Sequence, residues 1–345
     1  MLKSVGLIVL FAIVVTWIYQ FMLPPLQRPC GLPGGPPLTA PRVKLRDGRF
    51  LAYKEIGVPK HNAKNNIIFV HGFGNSRHDV VIAAHLPPKV IEELGLYIVS
   101  FDRPGYGESD PDPTRTLKSM ALDIEELADQ LQLGDRFYLV GFSMGGQTVW
   151  GSLKYIPHRL AGAALLAPVV NYWWSGFPAN ISKEAFEKQP SLDQWAQRVA
   201  HHLPWLTYWW NTQKLFPGSS VAAGKAILSQ HDLELIPKIV SLGTHHRGHG
   251  MQQGEFESLH RDMMIGFGSW EFSPMDLTDP FANKQGLVHL WQGNEDTLVP
   301  VSMQRCIAER LSWIKYHEIE GAGHLFPFAE GMAEAILRSL LLSHK

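Results

Sequence analysis

Three residues far apart in the chain have the types and settings that acyl-transfer chemistry requires: Ser143, Asp296 and His324. Ser143 sits in Gly141-Phe142-Ser143-Met144-Gly145-Gly146, between an apolar run at 137–140 and a helix-like stretch at 147–156. A serine at the tip of a sharp strand-to-helix turn has its hydroxyl raised above the sheet. The free N–H groups at the helix start favour the negative charge that builds on a tetrahedral intermediate. Gly141 and Gly145 are the positions where a side chain would collide with such a turn. His324 lies in Gly321-Ala322-Gly323-His324-Leu325-Phe326-Pro327, and an imidazole with an ordinary pKa of about 6.5 can take and return one proton at neutral pH. Asp296 follows an apolar run at 287–291, where a carboxylate can accept a hydrogen bond from the imidazole and fix its tautomer. Adjacent Glu295 is the alternative acid, whereas the tip of the preceding strand carries Asn171, which is not a carboxylate. Taken singly, each has a plainer reading: a glycine bend, an Asx turn, a solvated loop histidine.

The same chemistry needs two backbone N–H donors aimed at the developing oxyanion. Met144, the residue after the nucleophile, supplies one; His71-Gly72-Phe73-Gly74, directly after the apolar run 67–70, supplies the other, assigned to Phe73.

Loops of this kind need strands to carry them. Short apolar runs at 67–70, 96–101, 137–140, 163–166 and 287–291 read as buried parallel strands. Helical stretches such as 117–131 separate them, which predicts a doubly wound α/β sheet. An antiparallel hairpin around Asp47-Gly48 opens the domain. Between 171 and 280 the alternation breaks in a segment holding Trp173, Trp174, Trp195, Trp205, Trp209 and Trp210. A structureless loop of that length is improbable, so a largely helical cap is expected over 172–280, splitting the core into 42–171 and 281–345. Residues 24–41 are rich in proline and glycine and read as a spacer. Before them, residues 5–23 carry no charge; as a helix, this run of about 19 residues spans roughly 28 Å, so residues 1–23 read as a transmembrane anchor. Trp17 and Tyr19 suit the interface, and the basic residues on the anchor's two sides, Lys3 against Arg28, Arg42, Lys44 and Arg46, favour a cytoplasmic catalytic domain without fixing the orientation. The sequon Asn180-Ile181-Ser182 matters only for a luminal domain.

Composition sets the outer bounds. With 345 residues and 45% hydrophobic content the chain can bury a sizeable core, and a net charge of −1 gives no case for a nucleic-acid-binding surface. Cys30 and Cys306 form neither a disulfide framework nor a metal pattern. The group His245, His246, His249, Glu255, Glu257 and His260 fits no standard zinc spacing, and the glycines of the segment 102–109 lack the spacing of a phosphate loop. No metal or cofactor is expected.

Together, H-G-F-G, D-R-P-G-Y-G-E-S, G-F-S-M-G-G, G-x-x-D-x-x-V-P and G-A-G-H in this order resemble the α/β-hydrolase superfamily from about residue 41 onward. The resemblance implies an α/β-hydrolase sheet and a triad in the order Ser143, Asp296, His324. It also favours Asp296 over Glu295 through the following Val299-Pro300, and makes 102–109 a structural loop. A serine elbow implies ester hydrolysis through an acyl-enzyme and argues against the aspartate-nucleophile chemistry of epoxide hydrolases and dehalogenases. The Cys-Gly-Leu-Pro-Gly-Gly-Pro-Pro segment from Cys30 and the Leu-Arg-Asp-Gly-Arg segment from Leu45, behind an apolar N-terminus, further resemble a plant group of membrane-anchored members. The expected partner is a lipophilic small-molecule ester at an endomembrane such as the endoplasmic reticulum. The alternatives are hydrolysis of a metabolite's methyl ester with decarboxylation, or a receptor that binds without turnover. The sequence leaves the oligomeric state open.

Overall fold

The structure, a computed structural model, describes residues 2–243, 247–281 and 286–342. Strand assignment follows the apolar runs, with ends lengthened by backbone pairing. β1 (Arg42–Lys44) and β2 (Phe50–Gly57) form an antiparallel hairpin with Lys44 opposite Phe50. Its turn needs the left-handed region at Gly48, where φ is +93°. The chain continues through β3 (Asn65–Val70), α2 (Pro88–Leu94), β4 (Leu96–Phe101), α3 (Leu117–Gln130), β5 (Phe137–Phe142), α4 (Met144–Tyr155) and β6 (Leu160–Leu166). β3 begins two residues before its apolar run, because Asn65 and Asn66 pair with Leu96 and Tyr97 through backbone groups alone.

The eight strands lie in the order β1-β2-β4-β3-β5-β6-β7-β8, where β7 is Val288–Gly293 and β8 is Ile314–Ile319. β2 runs antiparallel to β4, and the strands from β4 to β8 in the sheet are parallel. Successive side chains of a strand point to opposite faces, so each strand feeds two cores. Ile68, Val70, Leu139 and Leu165 join one apolar cluster with Ile124, Leu127 and Trp150 of α3 and α4. Ile67, Phe69, Val140 and Leu166 join the other, with Leu94 of α2 and Ile336, Leu337 and Leu340 from the C-terminal helix. Covered on both faces, these strands have no reason to alternate with polar residues, which explains their continuous apolar sequence.

Between β6 and β7 the chain leaves the sheet and forms α5 (Ala179–Glu187), α6 (Ser191–His202), α7 (Thr207–Thr212), α8 (Gln230–Ser241), α9 (Arg247–Gly250) and α10 (Arg261–Gly266). α11 (Val301–Arg310) and α12 (Met332–Leu342) then flank β8. Buried charge ties this inserted segment to the core. Asp262 of α10 accepts two hydrogen bonds from Arg103, both at 2.7 Å, one from Arg115 at 2.8 Å and one from the Tyr106 hydroxyl at 2.6 Å.

The proline-rich stretch 24–41 has no helix or strand, but it is docked rather than free. Cys30 is buried and its amide donates to Gln253 Oε1 at 3.1 Å. The amides of Thr39 and Ala40 both donate to Glu108 Oε2, at 2.7 and 2.9 Å.

At the N-terminus, α1 covers Leu2–Met22. Among the described residues no helix is long and apolar enough to cross a membrane. The side chains of residues 1–9 and of Ile18 lie outside the described residues, so the anchor expected over 1–23 has no support from the structure.

Candidate active site

The strand order reverses around β3: the chain passes from β3 to β4 on one side and later to β5 on the other. A crevice opens outside the carboxyl ends of strands at such a switch point, which is where ligands bind in open α/β sheets. Ser143 follows β5 there, and the 71–74 loop follows β3.

The elbow at Ser143 is as tight as the glycines require. Ser143 has φ +53° and ψ −119°, a strained conformation for a residue with a side chain. A Cβ on Gly145 would lie 2.2 Å from the Val70 carbonyl oxygen, and one on Gly141 would lie 2.5 Å from that of Gly145. The turn therefore exists only with glycine on both sides.

The structure brings the three candidate residues together from 181 residues of separation. Asp296 Oδ2 lies 2.8 Å from His324 Nδ1, and His324 Nε2 lies 3.0 Å from Ser143 Oγ. A carboxylate only accepts, so Nδ1 carries the proton and Nε2 is left to accept from the serine hydroxyl. Asp296 is itself fixed: Oδ1 accepts from the amides of Leu298 and Val299 at 2.8 and 2.9 Å, and Oδ2 also accepts from Gln292 Nε2 at 2.9 Å. Glu295, the alternative acid, is exposed. Asn171 is occupied elsewhere, donating to the Gly268 carbonyl and accepting from the Trp173 amide.

Phe73 and Met144 both line the cavity that Ser143 and His324 face. Met144 is the first residue of α4, so its N–H has no partner within the helix. No acceptor among the described residues meets the N–H of either residue.

The segment 102–109, read as a structural loop, holds the loop after β3. The Arg103 amide donates to His71 Nε2 at 3.1 Å, and its guanidinium donates to the Gly72 carbonyl at 3.0 Å. His71 Nδ1 donates to the same carbonyl at 2.8 Å. Complete burial, with Arg103 beside it, holds His71 well below the usual histidine range, so it stays neutral and structural.

One residue that sequence reasoning missed is Asp232, fully buried near the start of α8. Its Oδ2 accepts from the His324 amide at 2.9 Å and its Oδ1 from the Leu325 amide at 2.6 Å. The inserted segment thus grips the loop that carries the candidate base. The only local signal was Ser229-x-x-Asp232, which reads as an ordinary helix start, and Ser229 Oγ does cap the Asp232 amide at 3.2 Å. A Cβ on Gly323 would lie 2.3 Å from Asp232 Oδ2, so the contact also depends on that glycine.

Burial alone would lower the pKa of His324; the charge and hydrogen bond of Asp296, with the charge of Asp232, raise it instead above 6.5. Of the histidines set aside above, His245 and His246 lie outside the described residues. His260 is buried, with Nδ1 donating to the Glu255 carbonyl at 2.9 Å. Among the described residues no group of three or more His, Cys, Asp or Glu is arranged to hold a metal ion.

The profile of the Alpha/beta hydrolase family matches residues 67–338. The chain belongs to that family. Solved α/β-hydrolase structures similar to it include a thermophilic esterase from Thermogutta terrifontis, at 20% identity and TM-score 0.60, covering 89% of this chain and 100% of that one. The enol-lactonase from Burkholderia xenovorans LB400 aligns at 16% identity and TM-score 0.60, covering 88% and 100%. An esterase from Exiguobacterium antarcticum aligns at 17% identity and TM-score 0.58, covering 87% and 98%. At these identities the likeness is one of fold. No curated protein matches this α/β-hydrolase, and the narrower likeness to a plant membrane-anchored group has no support from the comparisons.

Proposed function

We propose that the protein is a serine hydrolase of carboxylic esters. The observation that carries this reading is the unbroken hydrogen-bonded line from Asp296 through His324 to Ser143 Oγ, with the serine held at positive φ on its elbow. Ser143 Oγ attacks the ester carbonyl as His324 Nε2 takes its proton, and the amides of Phe73 and Met144 receive the oxyanion. His324 then gives the proton to the leaving alcohol, leaving an acyl-enzyme on Ser143. A water, deprotonated by the same nitrogen, releases the acid. Asp296 stays ionised throughout and stabilises the imidazolium. The segment 172–280 acts as a cap that shapes the substrate cavity. The fold relatives described as esterases support the reaction class. A fluorophosphonate probe is expected to label the wild-type protein, and p-nitrophenyl acetate is expected to be turned over many times. A folded protein that takes no label loses the hydrolase reading. One turnover followed by a stable acyl-enzyme would point instead to a receptor that binds without turnover.

We propose further that residues 1–23 anchor this domain to a membrane, with the domain on the cytoplasmic side. The support is the sequence alone, in the uncharged run 5–23. Alkaline carbonate is expected to leave the full chain in the membrane pellet, and added protease to digest the domain on intact microsomes. Release by carbonate sinks the anchor, and protection from protease reverses the topology.

A further inference from the structure

The space beside Ser143 is divided into two chambers that share Phe73, Ser143, Val221, Leu298 and His324. The larger, about 330 Å³, is walled by Leu228, Ile236, Ile239 and Val240 from the region of α8, with Phe328 opposite. The smaller, about 70 Å³, is lined by apolar Val169, Met263, Phe267 and Val299 and by polar Gln189, Asp193, Gln197 and Ser219. An ester sends two groups away from its carbonyl, so a carbonyl at Ser143 Oγ directs one group into each chamber.

Two of these polar residues, Asp193 and Gln197, share α6 and differ in their commitments. Asp193 of α6 is engaged by its own segment, accepting from Ser219 Oγ at 2.6 Å, from the Val221 amide at 3.3 Å and from Ser220 Oγ. Gln197 follows it by one helical turn on the same face of α6. Gln197 is 8% exposed, its Oε1 is fully buried, and its side chain makes no hydrogen bond among the described residues. Only the oxygen is buried without a partner, which is costly, and a turn of the amide exchanges it with the nitrogen, so a polar group that arrives with the ligand can satisfy it.

We propose that Gln197 is a specificity-determining residue for esters whose compact group carries a hydroxyl and whose other group is larger and apolar. A hydroxyl both donates and accepts, so it satisfies the Gln197 amide in either orientation. The apolar walls of the small chamber exclude a charged group from the same place. The larger chamber, with its aliphatic lining, takes the apolar remainder. This inference rests on the ester-hydrolase reading, and its test separates the two.

The test compares kcat/KM for hexyl 3-hydroxybutanoate against hexyl butanoate, and for 3-hydroxybutyl hexanoate against butyl hexanoate. The two pairs cover both ways of seating the ester. In one pair the wild type is expected to favour the hydroxylated member by at least about tenfold, because the analogue leaves Gln197 unpaired. In Gln197→Leu, and in Gln197→Met as a second packing solution, that ratio is expected to fall to about one whatever happens to the absolute rates. Turnover of p-nitrophenyl acetate with both wild-type ratios near one overturns the subsite, leaves a chamber that holds only solvent, and keeps the hydrolase reading. A wild-type preference that survives in both variants also overturns it. Affinity of the same pairs for Ser143→Ala, measured by calorimetry, reads the subsite without any turnover: a tenfold preference supports it, and equal affinity overturns it.

Discussion

Ser143→Ala is expected to lower kcat for p-nitrophenyl acetate by about a millionfold and to abolish fluorophosphonate labelling. The size of the loss follows from the arrangement around the serine. His324 Nε2 has Ser143 Oγ, at 3.0 Å, as its side-chain partner, so without that oxygen the base has no nucleophile to activate. The Phe73 and Met144 amides survive the change, as do Asp296 and its bonds to Leu298 and Val299. The fold is expected to persist, because alanine at φ +53° bears about the same backbone strain as serine and fills the same corner against Gly72, where a Cβ would sit 3.2 Å from that of Ser143. Circular dichroism and thermal melting check that point. Retention of more than about a hundredth of the activity by a folded variant would identify another nucleophile and end the triad reading.

Asp232→Asn is expected to lower kcat/KM by about 10²-fold, the scale on which a catalytic group misplaced by an ångström is felt. The carboxylate accepts from two adjacent backbone amides, whereas an asparagine side chain offers only one oxygen and sets its NH₂ against the other N–H. One of the two bonds is lost and the loop at His324 loosens. The pH profile separates this positioning role from simple destabilisation. His324 must be neutral to act as a base, and its pKa is raised above 6.5, so the acid limb of kcat/KM lies above pH 6.5 in the wild type. The groups facing the imidazole are Asp296, Asp232 and Ser143, with His231 accepting from the Gly323 amide beside it. Removing the Asp232 charge leaves less to hold the imidazolium, so the limb moves to lower pH. A lowered melting temperature with an unmoved limb would mean that Asp232 only supports the fold. The same sign governs stability: with its folded pKa raised, His324 stabilises the fold below about pH 6.5 and loses that contribution as pH rises through the higher value.

Much of this was legible from the sequence where local chemistry leaves one solution. The parallel strands announce themselves because both faces are covered, and the elbow because only glycine fits at Gly141 and Gly145. Asp296 and His324 were legible as motifs in order, although their mutual distance was not. Asp232 was hidden, since its partners are backbone amides 92 and 93 residues away and its local pattern matches any capped helix. Gln197 was hidden for the opposite reason: its significance lies in a partner that the fold does not provide. The docking of residues 24–41 escaped because proline and glycine content reports the absence of regular structure, not the absence of contacts such as that between Glu108 and the Thr39 and Ala40 amides.

The bonds of Asp262 have a bearing on ancestry and engineering. Arg103 and Arg115 belong to the core, both are nearly fully buried, and their shared counter-charge is supplied by the inserted segment. That segment is therefore not an exchangeable module. A chimera that carries a relative's insertion without an acid at this place strands two guanidiniums away from water, at about 3–5 kcal/mol, out of a total stability of roughly 5–15 kcal/mol. Recombination between relatives has to move Arg103, Arg115 and Asp262 together, so the three should be inherited as a unit even though 159 residues separate the first from the last.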